Sequence, residues 1–179
     1  MTHEVIMAGF GGQGVMLVGQ LLAYSGMLEG KKVSWMPSYG PEMRGGTANC
    51  SVVVSGEEVG SPVVSEPTAV IIMNRPSLDK FEGKVVKGGV LIINSSLVDR
   101  QVQRGDVTVI EVPANDIATE LGDVRVANMV ALGALIQATG AVKKESVLKA
   151  LRKVLPERRH HLLPMNEAAL DKGIGLAQQ

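Results

Sequence analysis

Cysteine is almost missing from this chain: Cys50 is the only one in 179 residues. That excludes an intramolecular disulfide, and it excludes an iron–sulfur cluster built from this chain alone, because such clusters take about four thiolates. Aromatic residues make up 3% against 45% hydrophobic residues overall, so the core must be aliphatic, helped by nine methionines. Neither sign of charge is in excess. The 18 basic and 18 acidic residues cancel, which removes the electrostatic footprint of a nucleic-acid binder. No apolar run approaches the roughly 20 residues that cross a bilayer. The N-terminus has neither the basic flank nor the long apolar stretch of a signal peptide. These features predict a cytoplasmic soluble protein with no membrane partner, folded as one domain over residues 1–179.

What is there begins with Gly9-Phe10-Gly11-Gly12-Gln13-Gly14, set between the apolar run Val5-Ile6-Met7-Ala8 and a helical pattern that starts near Gln13. Three of the glycines stand at G-x-G-x-x-G spacing. A strand ending on such a turn presents backbone N–H groups at the positive end of the next helix, a geometry that suits a phosphate or another backbone. A nicotinamide site normally adds a carboxylate about 20 residues on, at the end of the second strand, to hold the ribose. Here that stretch reads Lys32-Val33-Ser34-Trp35-Met36-Pro37, without a carboxylate. The turn is built for close approach and not for NAD.

The remaining elements alternate. A helix is expected to about Glu29 with Gly30 as its stop, then a strand over 32–36 and a polar, glycine-rich segment over 37–46. Residues 47–55 alternate and are rich in β-branched side chains, which indicates a strand. Gly56-Glu57-Glu58 reads as a turn into a second strand ending near Val64, giving an antiparallel hairpin over 47–64. Ala69 to Met73, Val90 to Ile93 and Val107 to Ile110 read as short strands buried on both faces. Ala127 to Thr139 reads as a buried helix packed through small residues, followed by amphipathic helices over 145–155 and 166–176. The predicted fold is a three-layer α/β domain with a mostly parallel sheet, one antiparallel hairpin and a Rossmann-like start.

The second unusual segment is Ser38-Tyr39-Gly40-Pro41-Glu42-Met43-Arg44-Gly45-Gly46. It gathers a hydroxyl, a phenol, a carboxylate and a guanidinium at the carboxyl end of a strand, where open α/β sheets bind ligands. Arg44 can bind a phosphate or carboxylate through two parallel hydrogen bonds. Glu42 either orients Arg44 or forms a local ion pair with it. Among other polar residues, Cys50 reads as a buried small hydrophobe. Asn74 and Ser77 read as helix-capping groups, and Asn94-Ser95-Ser96 as a further lining of the glycine-turn edge. His160 and His161, behind Glu157-Arg158-Arg159, read as part of a solvated or subunit-facing basic patch rather than a metal site. No catalytic residue and no metal ligand is assigned.

Together the glycine turn and the Ser38–Gly46 segment, in this order and spacing, resemble the gamma subunit of 2-oxoacid:ferredoxin oxidoreductases of the 2-oxoglutarate and pyruvate type, over essentially the whole chain. The resemblance implies a component of an enzyme that oxidatively decarboxylates a 2-oxoacid to an acyl-coenzyme A and passes electrons to ferredoxin. It implies alpha, beta and ferredoxin-like delta partner subunits that carry thiamine diphosphate, magnesium and the iron–sulfur clusters, with coenzyme A as co-substrate. The Gly-Asp-Gly fingerprint of a thiamine-diphosphate site is absent, since Gly122-Asp123 is followed by Val124. The chain is then inactive alone, and Gly9, Gly11, Gly12, Gln13, Gly14, Ser38, Tyr39, Glu42 and Arg44 form its ligand- or subunit-contact loops. Met36, Pro37, Tyr39 and Met43 are expected at an interface, which an isolated chain would satisfy by forming a homodimer. Two other readings of the glycine turn stand beside this one: a stand-alone NAD(P)-linked reductase, and a nucleotide- or coenzyme-A-sensing regulatory module.

Overall fold

The computed structural model describes residues 1–38 and 47–179. Period-two burial organises the whole sheet. In the first strand, β1 (Thr2–Phe10), Val5 and Met7 face one core while Ile6 and Ala8 face another. The same alternation continues through β3 (Thr47–Ser55), β4 (Ala69–Ile72) and β5 (Val90–Asn94), so that Val52, Ile71 and Ile92 join the first core and Val53, Ile72 and Leu91 the second. Successive side chains of a strand point to opposite faces, so a strand that is apolar throughout must be covered on both sides. With β2 (Lys32–Ser38) and β6 (Thr108–Val112), the strands form one six-stranded sheet in the order β2-β3-β1-β4-β5-β6. Strands β1, β4, β5 and β6 run parallel, and β3 runs antiparallel to both of its neighbours.

The antiparallel hairpin is therefore β2–β3, over residues 32–55, and not the expected one over 47–64. The reason lies in the ladders of β3. Ser55 pairs with Thr2 on one side and with Lys32 on the other, so both edges of β3 are occupied before residue 56 is reached. Residues 56–68 contain Pro62 and Pro67, which cannot donate to a ladder. They cross the second core as irregular chain, burying Val64.

The larger core is covered by α1 (Val15–Leu28), α4 (Ala127–Thr139), α5 (Lys144–Val154) and α6 (Leu163–Ala177). The smaller one is covered by α2 (Arg75–Phe81) and irregular segments. A further helix, α3 (Ala114–Leu121), which the sequence pattern did not suggest, follows β6 directly and joins the cover of the larger core. Helix α1 ends as expected: Gly30 has φ 76°, and the Lys31 N–H turns back to the Gly26 carbonyl at 2.9 Å. No helix among the described residues is long and apolar enough to cross a membrane.

The small residues of α4 are used at its crossing with α6. A Cβ on Gly133 would sit on the Leu170 carbonyl oxygen, and a Cβ on Gly173 on the Val130 carbonyl oxygen. Each glycine accepts the other helix's backbone, and backbone cannot step aside as a side-chain tip can. Gly173→Ala should therefore force the helices apart and cost about 1–3 kcal/mol of stability, the usual range for overpacking. Thermal unfolding of the variant checks this; an unchanged midpoint would show that the crossing yields freely.

Candidate functional site

The four parallel strands all end on one edge of the sheet, and this edge gathers the polar residues between elements. At its centre β1 stops at Phe10 and turns into α1. The Gln13 side chain holds that turn closed: its Oε1 accepts from the Phe10 N–H at 2.6 Å, and its Nε2 donates to the Met73 carbonyl at 3.4 Å. Gly9 makes room for this clamp, since a Cβ there would lie 2.6 Å from Gln13 Oε1 and 2.8 Å from Met73 Cβ. Gly12 and Gly14 have φ of 91° and 75°, conformations that L side chains seldom adopt. Gly14 caps α1, and its carbonyl accepts from Asn128 Nδ2 at 3.2 Å, which fixes the first turn of α4 against the glycine turn.

The turn projects between two hollows. One, of about 130 Å³, is lined by Gly12, Gln13, Met73, Asn115, Arg125 and Ala127, among others. The other, of about 250 Å³, is mainly apolar and includes Phe10, Gly11, Val15, Met16 and Ala48. Gly11 and Gly12 are exposed, and nothing lies within 4 Å of where a Gly12 Cβ would stand. Backbone and space are thus offered together at the positive end of a 14-residue helix. Arg125 adds a guanidinium at the rim of the first hollow. It is tied to Asp123 by contacts of 2.7–3.1 Å, and that guanidinium holds the Asp123 carboxyl below its usual range. The arrangement can receive an anionic group such as a phosphate; among the described residues lining it there is no nucleophile or general base.

Asn94 does the corresponding work at the end of β5. It is 1% exposed, accepts from the Ala114 N–H at 3.1 Å, and donates to the Met73 carbonyl at 3.2 Å and Asn115 Oδ1 at 2.8 Å. Asn74 caps α2 by accepting from the Ser77 N–H at 3.0 Å, as expected for Asn74, whereas Ser77 is the capped residue and its buried hydroxyl has no hydrogen-bond partner among the described residues. Asn94 does lie on the glycine-turn edge, but its amide is spent on the fold.

Of the other predicted site residues, Ser38 is the last residue of β2 and pairs with Asn49, itself opposite Ala8 of β1. The strands before the two motifs are not neighbours, because β3 lies between them. Thr47 re-enters the sheet opposite Phe10, so both ends of the 38–47 connection reach the edge that carries the turn. Tyr39, Glu42 and Arg44, with Met43, fall outside the described residues. Met36 is 39% exposed on the sheet's edge strand and Pro37 half-buried beside it. Sequence reasoning missed Asn115, Arg125 and Asn128 at this edge. The Asp-x-Arg run at 123–125, just before an apolar helix, was the available signal.

A model of the pyruvate ferredoxin/flavodoxin oxidoreductase family matches residues 4–176. The chain belongs to this family. Within it, the chain is 40% identical over 178 residues to the ketoisovalerate oxidoreductase subunit VorA of Methanothermobacter thermautotrophicus, covering 98% of this chain. It spans about a third, 36%, of that relative's length. It is also 34% identical to the 2-oxoglutarate synthase subunit KorC of Methanocaldococcus jannaschii, over 100% of this chain and 96% of that one. A solved keto/oxoacid ferredoxin oxidoreductase gamma subunit from Geobacter sulfurreducens superposes with a TM-score of 0.85 at 31% identity, over 98% of both chains. The gamma-type oxidoreductase resemblance and the mixed α/β fold expected from the sequence are thereby established for this family member.

Cys50, mid-way along β3, is fully buried, and its Sγ donates to the Val15 carbonyl at 3.3 Å. Burial pushes the thiol up to about 12. A thiol whose folded pKa is raised adds stability that is whole below its ordinary value of 9.0 and is lost as pH climbs towards 12. The native protein should then resist a thiol reagent at pH 8. Cys50→Ala should lose less stability than the parent between pH 9 and 11, measured by urea unfolding. Rapid labelling of the native state would contradict the burial argument.

Proposed function

We propose that this chain is the gamma-type component of a multi-subunit 2-oxoacid:ferredoxin oxidoreductase, which converts a 2-oxoacid to its acyl-coenzyme A and passes the electrons to ferredoxin. The observation that carries this reading is the end-to-end likeness to a gamma-type subunit, in a chain whose described edge residues offer anion contacts. Residues 1–179 act in it as one unit.

The residues present decide which groups belong on this chain. Coenzyme A fits: its phosphates suit the exposed backbone of Gly11 and Gly12, the start of α1, and Arg125. Gln13 fixes the shape of that turn, Ser38 ends the strand before the 39–46 connection, and Tyr39, Glu42 and Arg44 are proposed as further ligand or subunit contacts, Arg44 as the second anion contact. Thiamine diphosphate and magnesium do not fit, since no group of three metal-ligating side chains comes together among the described residues and the sequence has no Gly-Asp-Gly turn. A cluster does not fit either, because Cys50 is buried and alone. These groups are assigned to alpha, beta and ferredoxin-like partner subunits.

The NAD(P)-reductase alternative loses support from topology. In a dinucleotide fold the ribose carboxylate stands at the end of the strand beside the first one. Here the neighbour of β1 on that side is antiparallel β3, and β2 lies two strands away, roughly 10 Å. Exposed Trp35 and Met36 on β2 support a subunit role, as apolar side chains available to a partner chain.

Reconstitution with the partner subunits tests the proposal. Assembled enzyme should turn over, and the isolated chain should oxidise no NAD(P)H. Arg44→Ala should assemble normally and raise the KM for coenzyme A by about tenfold, the worth of one charge-assisted contact of about 1.4 kcal/mol. Gly12→Val should obstruct the same approach. Unchanged kinetics in both variants would leave the two loops without a ligand role, and NAD(P)H turnover by the isolated chain would refute the subunit reading.

A further inference from the structure

Residues 149–161 hold five cations, Lys149, Arg152, Lys153, Arg158 and Arg159, against one carboxylate, Glu157, in a chain with no net charge. All five are exposed, and among the described residues none of them takes part in an ion pair. Elsewhere Lys31, Arg75, Arg100, Arg104, Arg125 and Lys144 are each matched to a carboxylate within about 3.1 Å, whereas Lys80, Lys84, Lys87, Lys143 and Lys172 are also outside the ion pairs among the described residues, so the 149–161 run stands out by its density of cations. Fold stability accounts for only part of the cluster. Arg152 and Lys153 lie in the last turn of α5, where its dipole favours cations. Arg158 and Arg159 lie in the 3-10 turn Glu157–Leu162 just before α6, the end of a helix at which cations are disfavoured.

Beside these charges α5 and α6 leave a groove of about 240 Å³ lined by Leu148, Lys149, Arg152, Leu163 and Glu167. Leu148 and Leu163 are half-buried and give it an apolar floor, with Lys149 and Arg152 on its rim. Glu167 offsets part of this charge, since Lys144 is shared between it at 3.5 Å and Asp171 at 2.7 Å, but the rim with Arg158 and Arg159 beyond it stays cationic. An apolar floor with a cationic rim is the complement of a segment that carries one apolar anchor flanked by carboxylates.

We infer that the α5–α6 face is a docking surface for an acidic segment of a partner subunit. This rests on the subunit reading above and concerns a face centred on α5 and α6, whose Arg159 also acts on Asp123 beside the glycine-turn edge. An apolar side chain seats on Leu148 and Leu163, while the five cations steer the approach and fix the orientation. Nucleic acid is the weaker occupant, since the chain as a whole carries no positive excess to hold a polyanion.

The test measures association of the full chain with the alpha, beta and ferredoxin-like subunits at 50 and 300 mM NaCl. Lys149→Glu/Arg152→Glu and Arg158→Glu/Arg159→Glu should each slow low-salt association by about tenfold and flatten its salt dependence, because rim charges act mainly on the encounter rate. Their thermal unfolding should match the parent, as exposed unpaired charges add little stability. Reversal of the exposed Lys80 and Lys84 on the opposite face should leave association unchanged. Reversed variants that associate at parental rates with the parental salt response would overturn the proposal while the subunit reading stands. A parent chain that associates with none of the subunits at either salt would instead refute the subunit reading. Charge reversals that abolish binding of a DNA duplex, or self-association of the chain, without touching subunit assembly would assign the face to that occupant and overturn the proposal too.

Discussion

The Met73 carbonyl oxygen, one residue past the end of β4, receives two side-chain amides, Gln13 Nε2 from the β1 turn and Asn94 Nδ2 from the end of β5. Parallel strands that stop together leave backbone groups without ladder partners, and each one buried unpaired costs about 1–3 kcal/mol. At this edge side chains replace the missing ladder. Gln13 takes up the Phe10 N–H, Asn94 the Ala114 N–H, and Asn128 reaches Gly14 from α4. The relay joins the ends of three strands to the starts of α1, α3 and α4. It therefore sets where the glycine turn stands and which helices border it.

That relay also shows which parts of the molecule a sequence can disclose. The glycine turn and the buried strands are local: their order, spacing and unbroken apolarity each carry a physical meaning without reference to a partner. The close-packed α4 was legible for the same reason, because Ala and Gly in an apolar helix have no other use. The hairpin was not. Residues 56–64 alternate enough to suit a strand, but whether a strand forms depends on a free edge, and β3 had none left once β1 and β2 had paired with it. Asn94 and Asn128 were obscure because an asparagine at a strand end or in a first helical turn has many roles. Only the fold shows that their amides are already engaged.

The sheet is covered unequally, and the inequality matters for the proposed role. Helices α1, α3, α4, α5 and α6 bury one face, whereas α2 and irregular chain close the other. Carboxylates beside the cations of that smaller side tie its loops down: Arg100 spans Asp79 and Glu82, and Arg104 holds Asp106. On the α5–α6 side Lys144 is held by Glu167 and Asp171, while Lys149, Arg152, Lys153, Arg158 and Arg159 are left unmatched among the described residues. Ion pairs at exposed positions contribute about 0–1 kcal/mol, so their absence costs the fold little and leaves a surface field free for steering.

Because the edge side chains are committed to structure, recognition at the glycine turn falls to groups that cannot be specialised. Gln13, Asn94 and Asn128 have their amides occupied, which leaves, among the described residues, the backbone of Gly11 and Gly12, the dipole of α1 and the Nη1 group of Arg125, whose Nε and Nη2 are bound to Asp123. Such groups read negative charge and close fit, not the identity of a carbon chain. A phosphate would find all three of these groups. The proposed division of labour follows: a gamma-type chain handles the part of the reaction that different oxoacids share. It accords with relatives of nearly equal similarity that are named for ketoisovalerate and for 2-oxoglutarate. On this view substrate choice resides in the partner subunits, and what this chain must conserve is the amide relay that keeps its backbone in position.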